Sequence, residues 1–307
     1  MKPASTISAV IPAWNEAPLI GDAVRSAREI ADEVIVADAG SPDGTASAAR
    51  RAGARVVSSA KARGIQLSEG ARAATGDVLL FLHADARLPP AGRDAILGAL
   101  ADRRVIGGNF LPRFLPASWF TRFLVPSNDL RRLLTRGYYG DSGIFVRRDI
   151  YRALGGFPPF PLMEDYAFSR KMERSGRTAY LRQPPIYASA RRFRGRELRT
   201  LLLWMRLQTL YWIGVPPEEL AQAYPDVRDT APEEFIAAWR GTGSLAVDRR
   251  LLGWRWLHRF GTRAGRRAPR PAGDRTALGA CASAVHHPAA ASLAAPGRRA
   301  SRESCRA

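Results

Sequence analysis

A short apolar run, Val78-Leu79-Leu80-Phe81-Leu82, stops at His83, Ala84 and Asp85. The run reads as a strand buried on both faces of a parallel sheet, with Gly76 ending the helical segment before it. Open α/β sheets bind ligands at the carboxyl ends of their strands, and a carboxylate there can share a divalent cation with a substrate diphosphate. Other strand ends repeat the pattern. Asn15 and Glu16 follow a strand at residues 7–11, and Asp38 follows one at 33–37, ahead of Ser41-Pro42-Asp43-Gly44-Thr45. Each group also has a purely structural reading: Asn15 as a helix cap, Asp43-Gly44-Thr45 as a turn whose Asp or Thr caps the next helix. Taken together, three strand ends of one sheet converge in space. They offer hydrogen-bond acceptors to a base and ribose and a cation site to a diphosphate.

The elements that would position these groups alternate along the first hundred residues. A helix is expected over residues 18–30, where Leu19, Ile20, Ala23, Val24, Ala27 and Ile30 recur at helical spacing. A short helix running to Gly53, a strand at Arg55–Ser58 and a helix over 65–74 come next. Strand–helix alternation of this kind predicts an α/β fold with a mostly parallel central sheet flanked by helices. No Gly-x-Gly-x-x-Gly follows the first strand and no Walker-type loop is present, which argues against dinucleotide and P-loop chemistry. Beyond residue 100 the pattern predicts strands at 105–110, 137–146 and 186–190 and helices at 147–154 and from Met163 to Gly176. Residues 113–134 are basic and aromatic without a clear period. Residues 198–215 are apolar around most of a helix, read either as packed on the domain or as an interfacial helix approaching a lipid acceptor.

Composition sets the outer limits. The 307 residues carry 47 Lys+Arg against 28 Asp+Glu, a net charge of +19. Only Lys2, Lys61 and Lys171 are lysines. Such a surplus fits nucleic acid, anionic lipid or phosphorylated partners, or a compositional habit of the genome. Cys281 and Cys305 both lie near the C-terminus, so the core has no disulfide framework, as expected of a reducing, cytoplasmic compartment. The N-terminus runs into the first strand without a small-residue cleavage site, so a strand and not a signal peptide is expected there, and no apolar run reaches the roughly 18–20 residues that span a bilayer. The organisation expected is a domain at 1–228, a helical extension within 229–260, and a disordered Arg/Ala/Pro-rich tail at 261–307. That tail offers a rival function, weak polyanion or RNA binding, though the core shows no nucleic-acid motif.

The segments Ala9-Val10-Ile11-Pro12-Ala13-Trp14-Asn15-Glu16, Val36-Ala37-Asp38-Ala39-Gly40-Ser41-Pro42-Asp43-Gly44-Thr45 and the acidic strand end at Asp85 resemble family-2 inverting glycosyltransferases of the GT-A fold. Ala62-Arg63-Gly64-Ile65-Gln66, Leu80-Phe81-Leu82-His83-Ala84-Asp85, Tyr139-Gly140-Asp141-Ser142-Gly143-Ile144-Phe145-Val146, Leu154-Gly155-Gly156-Phe157 and Pro161-Leu162-Met163-Glu164-Asp165 are similar to a bacterial branch of that family linked with arsenosugar biosynthesis. The similarity covers about residues 8–228.

The resemblance implies a nucleotide-sugar donor, most often UDP-linked, and a divalent metal, Mn²⁺ or Mg²⁺. Pro12, Asn15, Glu16, Asp38, Asp43, Arg63, Gln66, His83 and Ala84 would then contact the nucleotide, Asp38 taking a hydrogen bond from the base. Asp85 would be the metal ligand. Asp165 would be the catalytic base, with Glu164 its neighbour. Inverting transfer is one in-line displacement at the anomeric carbon and needs one base for the acceptor hydroxyl. Acids in a first helical turn are otherwise ordinary dipole partners. Arg191 and Arg192 are candidate phosphate contacts, with a solvated basic loop as the alternative. Three places depart from the family pattern: His83 stands where a second Asp is usual, Ser68 where Asn is expected, and Ala167 where another acid often occurs. The acceptor is expected to be a small-molecule hydroxyl. A polyprenyl-phosphate acceptor at the membrane surface is the alternative, and that chemistry needs no base for a hydroxyl.

Overall fold

A computed structural model describes residues 5–224 and 232–242, all within one compact unit, Met1–Asp248. Among the described residues eight strands form one sheet: β1 (Ile7–Ala13), β2 (Glu33–Asp38), β3 (Arg55–Ser58), β4 (Val78–Phe81), β5 (Ala86–Arg87), β6 (Val105–Leu115), β7 (Ile144–Arg147) and β8 (Arg177–Ser189), in the order β3-β2-β1-β4-β7-β6-β8-β5. The first four strands pair in parallel, as does β6 with β8. β7 runs against both β4 and β6, and β5 runs against β8. The fold is therefore α/β with a mixed central sheet, its parallel half built by the alternating N-terminal segments.

Helices cover both faces, as a buried parallel sheet requires. Along β1 the side chains alternate: Ile7, Ala9 and Ile11 pack on one side, Val10 on the other. The first face is closed by α1 (Ala17–Arg28), α2 (Thr45–Arg51) and α4 (Gly92–Leu100), through Ile20, Val24, Ala49 and Ile96. The second is closed by α3 (Arg63–Ala73), α6 (Arg148–Ala153) and α7 (Glu164–Ser175), through Leu67, Tyr151, Phe168 and Met172. The register sets the end of β1 beside the ends of its neighbours, Ala13 opposite Asp38 and Val10 opposite Phe81. Between β6 and β7 lie α5 (Trp119–Thr135) and a single 3-10 turn, Gly140–Ser142. After β8 come α8 (Glu197–Trp212), α9 (Pro217–Gln222) and α10 (Pro232–Thr242).

Several expectations are corrected. The period-free stretch at 113–134 contains α5, begun by a capping box in which Ser118 accepts from the Thr121 amide and Thr121 reciprocates. Its outward face carries large apolar side chains and Pro126 sits within it, both against the usual pattern of a surface helix. Residues 137–146 hold the 3-10 turn and a shorter strand, not one continuous strand. β8 begins at Arg177, well before the expected residue 186, because Arg177, Arg182 and Gln183 mask it in the sequence. Gly76 does not end the preceding helix, which stops at Ala73. Its role is close approach: its amide donates to Ser8 Oγ at 2.7 Å, and an added Cβ would sit 2.5 Å from that same oxygen. Within 229–260, Pro232–Thr242 is the helix α10, with Phe235 fully buried and Trp239 against Tyr187. The rest of that extension and the 261–307 tail lie outside the described residues.

Candidate functional site

β4 delivers His83, Ala84 and Asp85 to the sheet edge, and β5 ties the adjoining residues to β8, with Ser189 donating to the Asp85 carbonyl at 2.9 Å. That pairing brings Arg191 over the strand ends. Its guanidinium bridges two carboxylates: Glu16 after β1, through contacts of 3.1 and 2.8 Å, and Asp85 at 2.9 Å. The Arg191 side chain is 8% exposed. Although burial opposes it, the Arg191 guanidinium holds the Asp85 carboxyl below its ordinary range, so it stays ionised.

A cavity of about 380 Å³ opens over these groups, lined by Pro12, Glu16, Arg63, Gln66, His83, Ala84, Asp85, Arg191 and Arg192, with Trp14, Lys61 and Tyr224 among the others. Nine of the expected donor-side and metal-side residues therefore share one space. Asn15, Asp38 and Asp43 do not. The Asp38 carboxylate is turned into its own loop, accepting from the Gly40 amide, the Ser41 amide and Ser41 Oγ. Asp43 accepts from the amides of Ala17 and Thr45, stapling its turn to α1. Asn15 sits at φ 53° with its amide on Ser41 Oγ. Gln66 lines the cavity, but its side-chain amide nitrogen is spent on the carbonyls of Ala13 and Ala37, locking α3 to the ends of β1 and β2.

A second cavity of about 460 Å³ adjoins the first, with Arg63, His83, Leu162 and Tyr224 lining both. Here lie Asp165, Asp141, Tyr139, Arg131 and Gln208, and much of the remaining wall is apolar, from Leu124 on α5 and Leu201, Trp204, Met205 and Trp212 on α8. Asp165 stands in the first turn of α7. Its two oxygens accept from the Gly140 amide and from the Tyr166 amide, each at 2.7 Å. Met163, just ahead, holds φ 68°. A left-handed backbone at a non-glycine residue costs about 1–3 kcal/mol and persists where the surroundings impose it. Glu164 lines neither cavity. It is fully buried, with Arg63 Nε 2.7 Å from its Oε1. Burial pushes its carboxyl upward against the pull of Arg63. Glu164 thus anchors the guanidinium shared by the two cavities.

His83 Nε2 is buried without a hydrogen-bond partner, against Gly140, where an added Cβ would lie 2.3 Å away. Burial and then the Arg63 charge push the imidazole down to about 4, so it is neutral. Among the described residues no three His, Cys, Asp or Glu side chains converge as a ready-made metal centre. The donor set still fits a hard cation held jointly. Asp85 is an ionised oxygen ligand facing the cavity, and Mg²⁺-type ions are commonly held by one or two carboxylates plus substrate phosphates and water.

Two features escaped sequence reasoning. Arg87 is almost fully buried and donates to the carbonyls of Ala84 and Ala86 at 2.8 Å and of Leu19 at 3.0 Å, clamping the turn that carries Asp85. A lone arginine after the acidic turn gives no sign of this in the sequence. Asp141 was visible only as part of a Gly-bounded motif. Burial pushes its carboxyl up to about 6, with Arg131 opposing and Asp165 adding. Because the folded-state value is raised, stability is lost as pH climbs from the ordinary carboxylate range through about 6. Asp141→Asn is accordingly expected to raise the melting temperature more at about pH 7.5 than at about pH 4. Equal shifts at the two pH values would refute this.

Residues 8–154 match the family model described as glycosyl transferase family 2. A glucosyl-3-phosphoglycerate synthase of Mycolicibacterium smegmatis is 36% identical over 97 residues, covering 27% of this chain and 32% of that protein. The chain thus spans about a third of the length of that curated relative. Among solved structures, the glucosyl-3-phosphoglycerate synthase of Mycobacterium tuberculosis with Mn²⁺, UDP-glucose and phosphoglyceric acid is 24% identical, over 70% of this chain and 82% of that one, with a TM-score of 0.48. Its complex with Mg²⁺ and UDP is likewise 24% identical, over 70% and 82% of the two chains, with a TM-score of 0.49. The matched residues, 8–154, run from β1 to α6 and supply Glu16, Arg63, His83 and Asp85, so this part of the chain is similar to glycosyl transferase family 2.

Proposed function

We propose that the protein is a metal-dependent inverting glycosyltransferase that moves a sugar from a nucleotide donor, UDP-linked, to a hydroxyl of a small-molecule acceptor. One observation carries the reading. Asp85 and Asp165 face two adjoining cavities whose shared wall is Arg63 and His83. In-line displacement needs this layout, with the leaving group on one side of the anomeric carbon and the nucleophile on the other.

On the donor side a divalent cation, held by Asp85 with the diphosphate oxygens, would offset charge on the departing nucleoside diphosphate. Arg191 and Arg192 add positive charge where phosphate oxygens would lie, in a planar geometry suited to them. Arg63, raised by Glu164 and Asp165 against the effect of burial, is a permanent cation between donor and acceptor. On the acceptor side Asp165, held by two backbone donors and facing the cavity, takes the hydroxyl proton. The neutral His83 lines both cavities, and on this reading it would contact the transferred sugar.

The uridine assignment follows the family resemblance, and the name of the Mycolicibacterium relative favours glucosyl transfer to a phosphorylated hydroxy acid. The Tyr139–Val146 and Leu154–Phe157 motifs support the narrower arsenosugar-associated role. The apolar wall of the second cavity favours a second reading, in which the acceptor is lipid-linked. A thermal-shift panel of nucleoside diphosphates with and without Mn²⁺, followed by hydrolysis assays on nucleotide sugars, tests the proposal. A Mn²⁺-dependent shift with UDP is expected. No shift with any nucleoside diphosphate would sink it.

A further inference from the structure

The strongly exposed large apolar side chains are not scattered. Among the described residues, all of them fall on two helices or their caps. On α5 they are Trp119, Phe123, Leu130, Leu133 and Leu134, between 55 and 78% exposed. On α8 they are Leu198, Leu202, Met205 and Trp212, and Ile213 caps that helix at 72%. Single exposed apolar side chains need no explanation, but ten large ones gathered on two helices and a cap do. The helices are neighbours: Phe120 and Leu124 of α5 share a buried cluster with Leu201 and Trp204 of α8. They also wall the second cavity together, and the exposed Met205 and Trp212 line it.

Charge says what this surface meets. Arg122, Arg136, Arg196, Arg199 and Arg206, on or capping these helices, are all exposed. No acidic side chain on either helix is fully exposed, and Asp129 is already taken by Tyr180 and Arg182. A second copy of the same face would bring like charges together. No described helix is long and apolar enough to cross a membrane. Apolar side chains ringed by arginines, on helices too short and too polar to span, match binding in the headgroup layer of an anionic bilayer.

We propose that α5 and α8 form a docking face for an anionic lipid surface, which sets the mouth of the second cavity at the bilayer. The further step, that the cavity takes an acceptor with an apolar tail lying in that bilayer, rests on the transferase reading. The docking does not.

Cosedimentation of the full chain with vesicles tests it, using phosphatidylcholine alone against phosphatidylcholine mixed with phosphatidylglycerol, without nucleotide. Binding is expected only with phosphatidylglycerol, and it should weaken as salt rises. Leu133→Gln with Leu134→Gln, and Leu198→Gln with Leu202→Gln, should each weaken it by about tenfold or more. These side chains line neither cavity, so the Mn²⁺-dependent UDP shift should be unchanged and also reports that the variants are folded. Equal binding by wild type and variants would overturn the proposal, because other basic segments would then carry the affinity. Binding equal on both vesicle types would overturn it too, as would vesicle-free dimerisation abolished by the variants. If vesicles are ignored while the UDP shift persists, only the docking falls. The reverse result removes the transferase reading and leaves the docking.

Discussion

Asp165→Asn is expected to lower turnover by roughly 10²- to 10⁴-fold, the range in which a positioned general base contributes, with UDP affinity in Mn²⁺ unchanged. The carboxylate is held from both sides, by the amides of Gly140 and Tyr166. A carboxamide keeps the volume but turns one acceptor into a donor. It can satisfy one backbone amide, not both, and it cannot take a proton from an acceptor hydroxyl. The side chain faces the second cavity and not the one that holds Asp85, so donor binding should not register the change. Steady-state rates and nucleotide binding on the same preparation check both halves. Turnover near that of the wild type would defeat a hydroxyl acceptor and favour a lipid phosphate, which needs no base of this kind.

Asp85→Asn tests the other side of the reaction. Arg191 would keep both of its contacts to Glu16, and Arg87 would still clamp the turn through main-chain carbonyls, so the local fold should survive. What is lost is the ionised oxygen pair that can share a cation with the diphosphate. We expect the gain in UDP affinity on adding Mn²⁺ to vanish. Turnover should fall by roughly 10²- to 10³-fold or more, comparable to removing a group that stabilises developing charge. Titration calorimetry of UDP with and without Mn²⁺ measures the first effect. An undiminished Mn²⁺ dependence would show that the cation, if bound, is held elsewhere. The ion pair with Arg191 carries a further consequence. A cation at Asp85 must share that carboxylate with a guanidinium 2.9 Å away, so cation and diphosphate should bind cooperatively, the phosphates drawing Arg191 toward themselves.

The N-terminal half of the site was legible because its grammar is local. A continuous apolar strand followed at once by His83 and Asp85, or Glu16 directly after β1, marks a sheet edge in any sequence with this alternation, and β1 does lie between β2 and β4. Residue type proved a poor guide to orientation. Asp38 sits at the correct strand end, yet its oxygens close the Gly40–Ser41 loop. Glu164 and Asp165 are adjacent, yet one is sealed against Arg63 and the other faces a cavity, because neighbours on a helix differ by about 100° in direction. α5 was illegible because Pro126, a residue that usually breaks a helix, sits inside it, and because its large apolar side chains face outward.

The chain itself determined the strand–helix alternation, the acidic strand ends and the helix that opens at Glu164, since each arises from hydrophobic period and local backbone chemistry. Tertiary structure alone decided which of those acids share a space. The pairing of β5 with β8 carries Arg191 to both Glu16 and Asp85, and the packing of α5 beside α8 walls the second cavity around Asp165. Such encounters join residues distant in the chain, Arg191 and Glu16 being 175 positions apart. They are set by how whole elements pack, which no local pattern encodes.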